Sequence, residues 1–177
     1  MAKKKKENNI EVLTVEKAKP IGQLFEEAYL NYGNYINNFR AIAHIVDGLK
    51  ISYRRLIYKA TTFGKSAGLI PTLELINSVS SIHPHSLTGI ELTNAQLVKS
   101  GVMTGSGYFG DTQIDGIYNE YGSPRYTKNR LSDLYWEVIG DLIKEVPYVE
   151  SPQVDLEPAF IPLPIGLCLY QKNLVQG

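Results

Sequence analysis

Apolar residues recur at spacings of three and four over residues 24–39, where Leu24, Ala28, Tyr32, Tyr35 and Phe39 mark one face of a helix. Asp47-Gly48 then signals a turn. A second helix is expected over 51–63, with Leu56, Ile57 and Ala60 as its apolar face and Gly64 as its stop. Pro71 suits the first turn of a short third helix with Leu73, Ile76 and Val79 inward. A further helix is expected over 88–99. The strongest periodicity spans 127–145, where Leu131, Leu134, Tyr135, Val138, Leu142 and Glu145 fall at helical spacing before Pro147. Four prolines after Val149 (Pro152, Pro158, Pro162, Pro164) predict extended segments instead. The pattern predicts an α+β chain, mostly helical. Its organisation is a disordered basic tail (1–20), a main domain (21–150) and the start of a further strand-rich unit (151–177).

Composition narrows the functional classes. The 177 residues are 44% hydrophobic and 20% charged, as in a globular domain. The 18 basic and 18 acidic residues balance, so nucleic-acid binding must rest on local clustering. One such cluster is Lys50, Arg54, Arg55 and Lys59 on or beside the second predicted helix, where phosphate contact competes with an ordinary solvated face. The lysines at 3–6 precede Glu7-Asn8-Asn9 and no apolar core follows, which excludes a signal peptide. No stretch is long and apolar enough for a membrane span. A single cysteine, Cys168, excludes an internal disulfide and fits a reducing cytosol.

Several motifs are weaker than they look. Gly64-Lys65-Ser66 ends like a P-loop, but Lys59 stands where the motif's first glycine belongs. Gly105-Ser106-Gly107-Tyr108-Phe109-Gly110 has dinucleotide-site spacing without the helix that must follow, so it reads as a loop admitting close backbone approach. His83-Pro84-His85 lacks further metal ligands, and its two histidines are read as donors to phosphate oxygens. The helices either side of 64–71 form a possible helix-turn-helix, although the second carries Glu74 and no Lys or Arg. Ser123-Pro124-Arg125-Tyr126 sets an arginine beside a tyrosine. A phenol is protonated and weakly nucleophilic at neutral pH, and an adjacent cation stabilises both phenolate and developing phosphate charge.

Taken in order, these motifs resemble the breakage-reunion subunit of type IIA DNA topoisomerases, the gyrase A, topoisomerase IV and topoisomerase II family. The resemblance covers about residues 22–177. It rests on Arg40-Ala41-Ile42, Val46-Asp47-Gly48-Leu49-Lys50 with Arg54-Arg55, His83-Pro84-His85, the glycine loop at 105–110, Ser123-Pro124-Arg125-Tyr126, and the proline-rich 158–163. The resemblance implies a winged-helix domain followed by the first tower strands. It implies Tyr126 as the nucleophile that joins a 5′ phosphate, Arg125 clamping the scissile phosphate, and Arg40 and His85 assisting its charge. Lys50, Arg54, Arg55 and His83 are implied as DNA contacts. It further implies duplex DNA as substrate, a homodimer within a heterotetramer, and a gyrase B-like partner carrying the TOPRIM magnesium site and the ATPase. A cytoplasmic, nucleoid-associated location follows, with a truncated or split subunit that needs the missing parts for strand passage. Departures from the family pattern are Ser86 after His-Pro-His, Tyr53 where histidine is usual, and Leu92 at an acidic position beyond Thr88. The alternative reading is a non-catalytic winged-helix DNA-binding module.

Overall fold

The computed structural model describes residues 19–83, 87–110, 121–151 and 154–162. Expectations for the basic tail before residue 19, for His85 and for the chain past 162 lie outside these. Helix α1 (Ile21–Ile36) runs into a π-helical turn, Asn37–Ala41. Helix α2 (Ile51–Thr62) follows, then the short strand β1 (Ile70–Pro71), α3 (Thr72–Ser80) and α4 (Leu87–Lys99). Strand β2 (Met103–Ser106) leads into the glycine loop. A 3-10 turn (Pro124–Tyr126) precedes β3 (Lys128–Leu131), α5 (Asp133–Val138), a second 3-10 turn (Leu142–Lys144), β4 (Tyr148–Ser151) and β5 (Val154–Pro158).

The core lies between α2, α3, α4 and a small antiparallel sheet of order β1-β3-β2. Leu56, Ile57 and Ala60 of α2 are buried, as their spacing requires. Gly64 turns the chain at φ 84°, a conformation that costs other residues energy. Buried Leu75, Ile76 and Val79 come from α3, Ile90 and Leu97 from α4, and Met103 and Leu131 from the sheet. Leu56 is fully enclosed, so Leu56→Ala is expected to cost about 2–5 kcal/mol, read as a lower urea midpoint at unchanged slope.

Two expectations need correction. The helix expected over 127–145 is divided among β3, α5 and the second 3-10 turn. Thr127, Asn129 and Leu131 point inward while Lys128 is exposed, which is the period of a strand. Polar Thr127 and Asn129 conceal that alternation, because each is buried with a hydrogen-bond partner. Asn129 Nδ2 donates to Asn94 Oδ1 of α4 at 2.6 Å. Ser132 caps α5, its Oγ accepting from the Tyr135 N–H at 3.2 Å. At Gly140, a Cβ would lie 2.4 Å from the Trp136 carbonyl, so that chain reversal is closed to other residues.

The second correction concerns α3. Leu73 is 44% exposed, and Leu75 takes the inward position expected of it. The Thr72 N–H donates to the Thr127 carbonyl at 3.0 Å, and Thr127 Oγ1 donates to Thr72 Oγ1 at 2.9 Å. These two bonds set the rotational phase of the helix, with Thr72, Leu75, Ile76 and Val79 as its inner stripe. Helix α1 forms as expected, with its apolar side chains outside the core. None is buried, and Phe25 is 71% exposed.

Strands β4 and β5 form a separate antiparallel hairpin across the boundary expected at 150/151. It packs against α2 through β5. No described helix is long and apolar enough to cross a membrane.

Candidate active site

Arg125 and Tyr126 sit side by side on the 3-10 turn, and both are exposed; Tyr126 is 80% accessible. The turn is local in origin. Pro124 occupies its first position, and the Tyr126 N–H donates to the Ser123 carbonyl at 2.9 Å. Pro124 on one side and Thr127 on the other are buried. The two candidate side chains therefore project from a short arch with both feet in the protein. The turn packs on α3 and β1, and Thr127 supplies the carbonyl that satisfies the first N–H of α3.

The glycine loop supports this arch from the side. Gly107 has φ 117°, and a Cβ there would lie 2.8 Å from Thr127 Cγ2 and 3.3 Å from Thr127 Cα. A Cβ on Gly105 would meet the buried Phe109 ring at 2.4 Å. The Gly122 N–H donates to the Tyr108 carbonyl at 2.8 Å, tying the loop to the segment that enters the turn. The close approach expected of this loop is made to the protein's own Phe109 and Thr127. Gly107→Val is expected to cost at least about 1–3 kcal/mol through the strained backbone. It should also displace Thr127, and a thermal melt with a DNA-binding titration checks both effects.

The remaining candidates are distributed. Arg40 is exposed on the π-helical turn, which packs on α1 and α2. Lys50 is half-buried at the N-terminal boundary of α2. Arg54 and Arg55 both turn inward, so the basic surface read from their sequence is corrected here. Arg54 Nε donates to Asp47 Oδ2 at 3.3 Å. The same carboxylate accepts the Ile161 N–H at 2.9 Å through Oδ2 and the Leu49 N–H at 2.9 Å through Oδ1. Arg55 is only 1% exposed and makes a two-point ion pair with Glu157 of β5, Nε to Oε2 at 2.6 Å and Nη2 to Oε1 at 3.0 Å. Its Nη1 lies 3.0 Å from Nδ1 of His83, which follows α3. An arginine enclosed in this way does not present its fork to a DNA backbone.

Asp47 and Glu157 are the residues sequence reasoning missed. Consecutive arginines read as a charged surface, and the second acid lies far along the chain. The one signal in the sequence was Asp47 itself, an acid at a helical distance from Arg54. Some of the tyrosines resist ionisation. Burial raises the phenols of Tyr53 and Tyr135 above their ordinary value, and Tyr121 is raised by burial and by the charge of Glu91. Among the described residues, no group of three or more His, Cys, Asp or Glu side chains is arranged to hold a metal.

Comparison with known proteins bears on this arrangement. A family model for the A subunit of DNA gyrase/topoisomerase IV matches residues 40–173. The A subunit of DNA topoisomerase 4 from Mycoplasma pneumoniae is 29% identical over 154 residues, covering 80% of this chain and 19% of that protein. The A subunit of DNA gyrase from Campylobacter jejuni is 28% identical over 153 residues, covering 79% and 16%. DNA topoisomerase 2 of Trypanosoma brucei brucei is 29% identical over 144 residues, covering 75% and 12%. The chain spans less than a fifth of the length of each of these relatives. The match extends from Arg40 across the glycine loop, the Arg125-Tyr126 arch and the β4–β5 hairpin, and the chain belongs to the family of DNA gyrase and topoisomerase IV A subunits.

Proposed function

We propose that this chain carries the DNA-cleaving tyrosine of a type IIA topoisomerase, with Tyr126 as nucleophile and α2, α3, α4 and the small sheet as a winged-helix domain. The observation that carries the reading is the Arg125-Tyr126 pair, exposed on a turn whose neighbours are buried and fixed. The Tyr126 hydroxyl gives up its proton as its oxygen attacks a backbone phosphorus in duplex DNA. The 3′ oxygen leaves and takes a proton, and the tyrosine keeps the 5′ phosphate. The reverse step reseals the strand, and because one ester replaces another the bond energy is retained. Positioning and charge dominate such a transfer. Arg125 supplies a cation beside the nucleophile, and Arg40 and His85 supply further positive charge in this reading. Cutting both strands takes two tyrosines, hence two copies of the chain.

Magnesium and ATP belong to a gyrase B-like partner in this reading. The described residues near Tyr126 offer cations and no carboxylate cluster fit for magnesium, so no step is routed through it here. A cleavage trap tests the proposal. The protein, extended to the length of its relatives, is mixed with such a partner, magnesium and plasmid, then quenched with SDS and protease. Linear DNA with blocked 5′ ends is the expected product. Salt-sensitive binding without any blocked ends would leave a non-catalytic winged-helix module as the account.

A further inference from the structure

We propose that Glu157 is a positioning residue that sets the tautomer of His83 through Arg55. Arginine has only donors, so the 3.0 Å contact between Arg55 Nη1 and His83 Nδ1 requires Nδ1 to accept. A neutral imidazole carries one proton, which must then reside on Nε2. Arg55 can hold this alignment because its other edge is fixed. Glu157 grips Nε and Nη2 at 2.6 and 3.0 Å, and the two side chains are 1% and 4% exposed. The carboxylate on β5 thus orients a guanidinium on α2, which in turn orients the ring that follows α3.

This assignment has a chemical consequence. His83 can donate from Nε2, but neither nitrogen can take a proton while the contact to Arg55 holds: Nδ1 is occupied and Nε2 is already protonated. His83 is therefore excluded as the acceptor of the Tyr126 proton. The role in cleavage rests on the function proposed above; the tautomer does not.

The test has two readouts. Nitrogen-15 NMR of the histidine-labelled chain, with His83 assigned by its loss in His83→Gln, reports the ring directly. The expected wild-type signal at neutral pH is a single neutral form with hydrogen on Nε2. A proton on Nδ1, or a doubly protonated ring, overturns the inference without any variant. Glu157→Gln turns an amide N–H toward the guanidinium and breaks the fork. With native circular dichroism, it should mix the His83 forms and lower the yield of Tyr126-dependent adduct by roughly tenfold to a hundredfold in the partner-complemented cleavage trap. Arg55→Lys is the second variant, keeping a charge for Glu157 but losing the three-way geometry, and it should free His83 in the same way. A tautomer unchanged in both variants, or an altered tautomer with undiminished adduct, overturns the positioning role. A wild-type chain with the expected tautomer and no Tyr126-dependent adduct overturns the proposed function, and with it the role in cleavage alone.

Discussion

Tyr126→Phe is expected to abolish the covalent DNA adduct while leaving DNA affinity within a factor of about five, since one exposed hydroxyl contributes about a kilocalorie at most. The variant deletes a single oxygen. Tyr126 is mostly exposed and its turn is held by the backbone of Ser123 and by buried Pro124 and Thr127, so the arch survives the change. A phenyl ring cannot attack phosphorus, and Tyr135 is enclosed in the core. The measurement is the fraction of plasmid with protein-blocked 5′ ends after denaturation. Adduct surviving in Tyr126→Phe would move the chemistry to another side chain. Loss of adduct together with loss of binding would mean that the arch itself had collapsed.

Arg55→Ala should produce the largest loss of stability, about 3–5 kcal/mol, because it leaves the Glu157 carboxylate buried without its partner. The double variant Arg55→Met with Glu157→Leu should recover most of that loss, since an apolar pair of similar volume carries no desolvation penalty. Urea unfolding of the three proteins checks this. If Arg55 were instead a surface phosphate contact, Arg55→Ala would weaken DNA binding and leave the midpoint almost unmoved. The inward pair gives the opposite ranking, and a midpoint shift below about 1 kcal/mol would refute it.

The local features of the candidate site were legible in the chain. Arg125-Tyr126 was recognisable because a phosphate nucleophile of this type needs an adjacent cation, and the Ser-Pro start announces its turn. The glycine loop was recognisable as a place of close approach, though not what it approaches. That partner, Thr127, is distant in sequence and became known only when β2 and β3 paired. The basic face of α2 failed for the same reason. Periodicity puts Arg54 and Arg55 on a helix, but it carries no record of Asp47 below them or of Glu157 arriving from a hairpin about a hundred residues later.

By itself, the sequence determined the helices α1 to α4, the turn at Asp47-Gly48, the extended character of 149–151 and 154–158, and the family. These rest on local spacing, on residues with special backbone demands, and on ordered motifs. Only the tertiary structure decided that 128–131 is a strand, that α3 turns Leu75 rather than Leu73 inward, and that two arginines are buried. Strand pairing and burial of charge depend on groups far apart in the chain. A helix-like spacing of leucines yields to a sheet when Asn129 finds Asn94 and Met103 aligns with Leu131. An arginine goes inside only when an acid elsewhere in the fold meets it there.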